Sequence, residues 1–221
     1  MIRHLIFDLD GTLVDSCAIC IDILSGLLAD RGSDHVIDPV AARPWMSQGG
    51  ATMVAALLGH ACGDPETELA EFRARYLTVK TPVWALFPGV KASLAQLRQA
   101  GFTLSICSNK PQNLCEKVLL DTGLAPMFNV VVGSQAGLSP KPAPDLMRAA
   151  LKRLGASASD CLFIGDSELD HQVAKIERMP FVFMTYGYAE AGWLPDDSDC
   201  FDCFSTMARA VLDGIAPANA A

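Results

Sequence analysis

Six short, largely apolar segments, most of them separated by helical sequence, constrain this chain more than any other feature. They fall at 3–9, 102–107, 129–132, 161–164, 181–185 and 200–204. A strand with no polar face has to be covered on both sides, which is the situation of a parallel sheet flanked by helices. The intervening runs at 90–100, 112–122 and 144–154 carry apolar residues at helical spacing and end at Gly101, Gly123 and Gly155. A further helix starts at 169, and a closing one lies near 207–212. The expected class is therefore α/β.

Between the first two strands the pattern changes. Residues 17–31, 51–58 and 65–80 read as helices, the first after the cap-like pair Asp15-Ser16 and the last opened by Asp64-Pro65-Glu66. The stretch 40–47, with Pro39 and Pro44, has no assigned element. No convincing strand occurs in 16–84, so this block is an all-helical insertion into a core formed by 1–15 and 85–221. Only the Ala-rich tail after Ile215 reads as loose.

Of the 221 residues, 51% are apolar and 19% charged, which is enough apolar sequence for a sizeable core. The net charge of -8 argues against a nucleic-acid backbone or an anionic membrane as partner. No apolar run is long enough to span a membrane, and the first apolar run leads into acids rather than a cleavage site. The expected location is cytoplasmic. The eight cysteines include the pairs Cys17/Cys20 and Cys200/Cys203, each with CxxC spacing. Their helical and alternating surroundings favour packing roles over a thiolate zinc site.

Polar residues gather at the carboxyl ends of four strands, the edge where open parallel sheets bind ligands. The first strand delivers Asp8-Leu9-Asp10-Gly11-Thr12, and the second Ser108-Asn109-Lys110-Pro111. Lys141-Pro142 follows the third, and the fourth ends in Gly165-Asp166-Ser167-Glu168-Leu169-Asp170. Converging carboxylates repel one another unless a hard cation sits among them, and an all-oxygen donor set suits Mg²⁺. A lysine and a hydroxyl beside them can hold a phosphate, with backbone N–H groups after Asp8 completing the cradle.

The order of these four motifs resembles that of the haloacid dehalogenase-like hydrolases, and the resemblance covers essentially the whole chain. It implies a Rossmann-like core with helices on both faces and a helical cap at 16–84. It implies Asp8 as nucleophile, Asp10 as general acid/base, and Ser108 and Lys141 as phosphoryl ligands. Mg²⁺ would be held by Asp8, the Asp10 carbonyl and Asp166, with Asp170 supporting the metal's waters or Lys141. Gly11, Thr12 and Asn109 are expected to help bind substrate. The acid at position 10 favours a phosphoester over a haloacid.

Phe87-Pro88-Gly89-Val90, Ser108-Asn109-Lys110-Pro111, Lys141-Pro142-Ala143-Pro144 and Tyr186-Gly187-Tyr188 are similar to the phosphoglycolate phosphatase-like branch. Ser108 stands where Thr is common, and Lys175-Ile176-Glu177-Arg178-Met179 replaces the usual small residues. Arg43, Ser47 and Gln48 are the expected cap readers of a small phosphorylated metabolite. Arg43 would pair with a second anionic group, and a Ser-x-Gly-Gly segment is also similar to phosphatases of phosphorylated sugars, including N-acetylmuramic acid 6-phosphate. A pyrophosphatase of the same family is a further alternative. Acids, hydroxyls and a lysine at strand ends also build a phospho-receiver, against which the helical insertion and Asp10 both argue. A non-catalytic binding protein on the same fold would be expected to have lost a motif residue.

Overall fold

The structure, a computed structural model, describes residues 2–214; the expected loose tail, and the end of the expected core, lie outside the described residues. The strands are β1 (His4–Phe7), β2 (Thr103–Pro111), β3 (Val130–Ser134), β4 (Cys161–Gly165), β5 (Phe181–Met184) and β6 (Asp199–Phe201). They form one sheet in the order β3-β2-β1-β4-β5-β6, parallel throughout. The helices are α1 (Cys17–Asp30), α2 (Pro39–Gln48), α3 (Gly50–Leu58), α4 (Pro65–Thr78), α5 (Val90–Gln99), α6 (Gln112–Thr122), α7 (Asp145–Leu154), α8 (Glu168–Glu177) and α9 (Phe204–Leu212).

The apolar strands are two-faced in an alternating sense, because successive side chains leave a strand on opposite sides. Leu5 and Phe7, Leu104 and Ile106, Leu162 and Ile164, and Val182 and Met184 join one core, packed with α5, α6, α9 and the inserted helices. Ile6, Cys107, Phe163, Phe181 and Phe183 join a second core under α7 and α8. Each large side chain buried this way contributes about 1.5–3 kcal/mol. Continuous apolarity is thus the signature of two cores sharing one sheet.

The chain leaves β1 toward β2 and β3, then crosses back to β4 on the other side. That reversal opens a crevice at the carboxyl ends of β1 and β4. The inserted helices leave and return beside it. Asp15 N–H donates to Ala85 O at 2.8 Å and Phe87 N–H to Leu13 O at 3.0 Å, so the outgoing and returning segments are stitched together. Helices α1 to α4 pack on one another, and α4 also reaches α6.

Several boundaries differ from expectation. The stretch containing Pro39 and Pro44 is helical: Pro39 fits the first turn, Asp38 caps it by accepting from Val40 N–H, and Pro44 forfeits one internal bond of a short helix. Strand β2 runs on through Ser108-Asn109-Lys110, with its register to β3 shifting between Cys107 and Pro111. Strand β6 is shorter than expected, and Phe204 belongs to α9. Ser16 makes no side-chain cap at α1; the Tyr188 hydroxyl accepts from Cys17 N–H at 3.0 Å instead. Among the described residues no helix is long and apolar enough to cross a membrane.

Candidate active site

Asp8 follows β1 directly and remains tied to the sheet, its N–H donating to Ile164 O at 2.9 Å. The side chain is buried and borders the crevice. Across from it, Asp166 at the end of β4 is 1% exposed. Thr12 Oγ1–H donates to one Asp166 oxygen at 2.7 Å and Tyr188 N–H to the other at 2.9 Å. Two glycines make room for that carboxylate. A Cβ at Gly11 or at Gly187 would collide with the Asp166 side chain, and Gly11 also has φ +84°. The Tyr186-Gly187-Tyr188 run therefore has a reason in packing: the glycine passes Asp166, and Tyr186 Oη–H donates to Thr12 O at 2.7 Å.

Lys141 is 4% exposed and enters from the loop after β3. Its ammonium lies 2.9 Å from Asp8 Oδ1, 2.5 Å from Asp170 Oδ1 and 3.2 Å from Cys107 O. The approach to Asp8 lacks hydrogen-bond alignment, so that buried oxygen is charge-paired without a hydrogen bond. Asn109 holds the lysine's backbone at both ends, donating to Lys141 O at 2.9 Å and accepting from Lys141 N–H at 2.7 Å. Asp170 is fully buried at the start of α8, where it completes a capping box with Ser167. One carboxylate thereby ends a loop, starts a helix and holds Lys141.

Asp10 is placed differently. Its carboxylate pairs with Lys110 Nζ at 3.0 and 3.1 Å, and the same ammonium sits 4.4 Å from the ring centre of Tyr76 on α4. Burial opposes the charge on Lys110, but Asp10 raises its pKa well above the ordinary lysine value. Asp8 and Asp10, two residues apart, thus face two different cations. Lys110 was part of a recognised motif without an assigned role; its partner lies 100 residues away in sequence.

Three buried carboxylates, Asp8, Asp166 and Asp170, each offer an oxygen within 4.8 Å of the others. Burial pushes Asp8 up to about 6, with Lys141 opposing, Asp170 adding and Ser108 opposing. Burial, then Asp170 and Asp8, push Asp166 well above the carboxylate range against Thr12 and the Tyr188 N–H. Buried acids that hold protons this tightly, one with an oxygen lacking a hydrogen bond, fit a metal ion, which would replace the protons. The family implied by the motifs uses such an ion.

Both groups bind protons more tightly in the folded chain than in the unfolded one. Without metal, stability therefore falls as pH rises from 3.8 through about 6. A divalent cation should restore it, by about 2.7 kcal/mol at a hundred times its Kd, and by less at about pH 5 than at about pH 7.5, where protons compete less. Thermal melts with and without the cation at both pH values measure this. Equal stabilisation at both would take these carboxylates out of the ion's site.

The crevice encloses about 280 Å³. Asp8, Asp10, Ser108, Asn109, Lys141 and Asp166 line it from the sheet side, and Ser47 and Gln48 from the inserted helices. Other expected substrate contacts are placed elsewhere. Gly11 and Thr12 do not border it: their places are taken up by Asp166. Asn109 borders it with its amide committed to Lys141. Arg43 is also absent from the lining. It pairs with Asp15 at 3.3 Å, donates to Tyr186 O at 3.3 Å and stacks on Tyr188, so it braces the joint between the two parts of the chain. Arg73 lines the crevice instead.

Cys17 and Cys20 are buried side chains of α1, and burial pushes Cys20 up to about 12, as suits packing residues. In the unusual run 175–179, Lys175 pairs with Asp197 at 3.4 Å and Glu177 with Arg148 at 2.8 Å, Arg178 ends α8 in a left-handed conformation, and Met179 is buried in the second core.

Known proteins resemble the chain in sequence and in fold. The family model for haloacid dehalogenase-like hydrolases matches residues 5–184. A phosphoglycolate phosphatase of Xanthomonas campestris pv. campestris is 33% identical over 187 residues, 84% of either chain. One of Rhodospirillum rubrum is 35% identical over 198 residues, 86% of this chain and 82% of its own. The crystal structure of a predicted phosphoglycolate phosphatase from Haemophilus somnus 129pt matches in fold, with a TM-score of 0.81 at 24% identity, covering 95% of this chain and 98% of that one. The reaction class that goes with these matches is phosphoric monoester hydrolysis. The chain belongs to the haloacid dehalogenase-like hydrolase family, in its phosphoglycolate phosphatase-like branch.

Proposed function

We propose that the chain is an Mg²⁺-dependent phosphatase of a small phosphomonoester, of the phosphoglycolate type, working through a phosphoaspartate at Asp8. The supporting observation is the division of labour between the two neighbouring acids. Asp8 lies against Lys141 beside the buried carboxylates, and Asp10 lies against Lys110 nearer the mouth. In this reading Asp8 attacks phosphorus and Asp10 moves protons.

In the first step an Asp8 oxygen bonds to phosphorus and the ester P–O bond breaks. The departing alkoxide takes the proton that Asp10 acquires when substrate binds, and Asp10 is left as the carboxylate paired with Lys110. In the second step Asp10, now a carboxylate, takes a proton from water as that water attacks phosphorus. The acyl phosphate bond breaks, and both acids return to their starting state. The Ser108 hydroxyl and Lys141 hold the phosphoryl oxygens. Asp8, the Asp10 carbonyl and Asp166 would hold Mg²⁺, with Asp170 fixing Lys141 beside them; when bound, the ion supplies charge neutralisation for the phosphoryl group. Residues 16–84 serve as the cap that excludes water from a core of 1–15 and 85–221.

The named activity of the relatives and the modest crevice both favour a substrate as small as phosphoglycolate over one as large as N-acetylmuramic acid 6-phosphate. A phosphate-release screen with Mg²⁺ over phosphoglycolate, sugar phosphates and pyrophosphate tests this. Phosphoglycolate should rank among the best substrates. No release from any phosphomonoester would remove the reading.

Lys110 gives a sharper check on Asp10. Lys110→Met should lower kcat/KM for phosphoglycolate by about 10- to 100-fold, because Asp10 loses the partner that aims it. It should lower that for p-nitrophenyl phosphate much less, since nitrophenolate departs without being protonated. Equal losses on both would give Lys110 a structural role only.

A further inference from the structure

We infer that Arg73 on α4 reads a second anionic group on the part of the substrate that leaves, so that the preferred substrates are phosphomonoesters carrying a carboxylate or another phosphate. The inference rests on the phosphatase reading above and makes it specific.

The cations facing the crevice are Lys110, Lys141 and Arg73. Lys110 is committed to Asp10, and Lys141 to Asp8 and Asp170. Arg73 forms no hydrogen bond or ion pair with any of the described residues, although the arginines nearby on the inserted helices do: Arg31 holds Glu68 and Glu71, Arg43 holds Asp15, and Arg75 holds Asp30. Its direction follows from helix geometry. Leu69, Phe72 and Arg73 stand at i, i+3 and i+4, one stripe of α4, and all three line the crevice. Met46 and Met53 from the neighbouring helices line the same crevice.

Arg73 is half-buried beside a partly apolar lining, and the planar fork of a guanidinium, more weakly hydrated than an ammonium, suits a carboxylate or phosphate held at two points. The phosphoryl end of the substrate is bound at the sheet, by Ser108 and Lys141. Arg73 belongs to the opposite wall. A molecule spanning the crevice therefore meets it with its other end, where a neutral hydroxyl gains little and an anion gains a charge-assisted pair.

The test compares phosphoglycolate with 2-hydroxyethyl phosphate, a neutral analogue of the same size, in wild type, Arg73→Met and Arg73→Lys. The ratio of kcat/KM values should favour phosphoglycolate in wild type. It should fall by about 10- to 100-fold in Arg73→Met, the range one charge-assisted pair supplies, while turnover of the neutral ester stays within about threefold. Arg73→Lys should recover part of the preference. Ethylene glycol bisphosphate as a third substrate decides whether the anion read is a carboxylate or a phosphate: the one whose kcat/KM falls more in Arg73→Met is the one Arg73 binds. A wild-type ratio near one, or a ratio unmoved by Arg73→Met, overturns the inference and leaves the phosphatase reading standing. Failure of the wild type on all three esters and on p-nitrophenyl phosphate would remove that reading and the inference with it.

Discussion

Asp8→Asn should lower turnover of phosphoglycolate and of p-nitrophenyl phosphate by about 10⁴-fold or more, with the fold intact. An amide has nearly the shape of a carboxylate and cannot displace an alkoxide from phosphorus. The substitution should also be easily tolerated. Burial already pushes Asp8 up to about 6, so a neutral group at this position relieves repulsion with Asp170. Metal-free Asp8→Asn should melt at or above the wild-type temperature at neutral pH. That combination, dead but stable, separates a nucleophile from a residue that holds the fold. Acid quenching of the wild type with labelled substrate should trap phosphate on the protein, and the variant should carry none. Normal turnover in the variant would end the phosphoaspartate mechanism.

The sheet and the strand-end acids were legible because they are written locally. A strand that alternates between two cores is apolar at every position, as Leu5-Ile6-Phe7 and Leu162-Phe163-Ile164 are. The polar residues that break such a run mark its carboxyl end, and a parallel sheet brings all those ends to one edge. Where the reading went astray, the cause was non-local. Pro44 in the 39–48 stretch concealed a helix that tertiary packing of Ala42 and Met46 supports. The pairing of Asp10 with Lys110 needs β1 beside β2, and then Tyr76 from the inserted helices. Arg43 and Arg73 look alike in sequence. Which one meets the crevice depends on how α2 and α4 are turned against the sheet, and Arg43 is turned onto Asp15 and Tyr188. Local spacing gives a helix at 65–80 but not which of its faces turns to the crevice.

Lys141→Met should be costly to both stability and turnover, and its two losses should separate by pH. Wild-type Lys141 is buried, so burial works against its charge, yet Asp170 and Asp8 hold the ammonium far above the ordinary lysine range. Removing it leaves Asp8, Asp166 and Asp170 buried with no protein cation among them, and breaking a buried pair in this way costs about 3–5 kcal/mol. The sign with pH follows from which group is left behind. Asp8 without its cation takes up a proton even more readily than the wild-type group does, so the deficit is larger at neutral pH and above, and shrinks as pH falls toward about 6, the wild-type value. Chemical denaturation of the metal-free variant across that range measures it. Turnover should fall by orders of magnitude, because the phosphoryl group has lost the cation nearest its attacking atom. Adding Asp170→Asn should then return much of the stability, since one stranded carboxylate is gone, and none of the turnover. If the double variant were no more stable than the single one, the Lys141–Asp170 contact would be incidental, and Asp170 would serve α8 through its capping box alone.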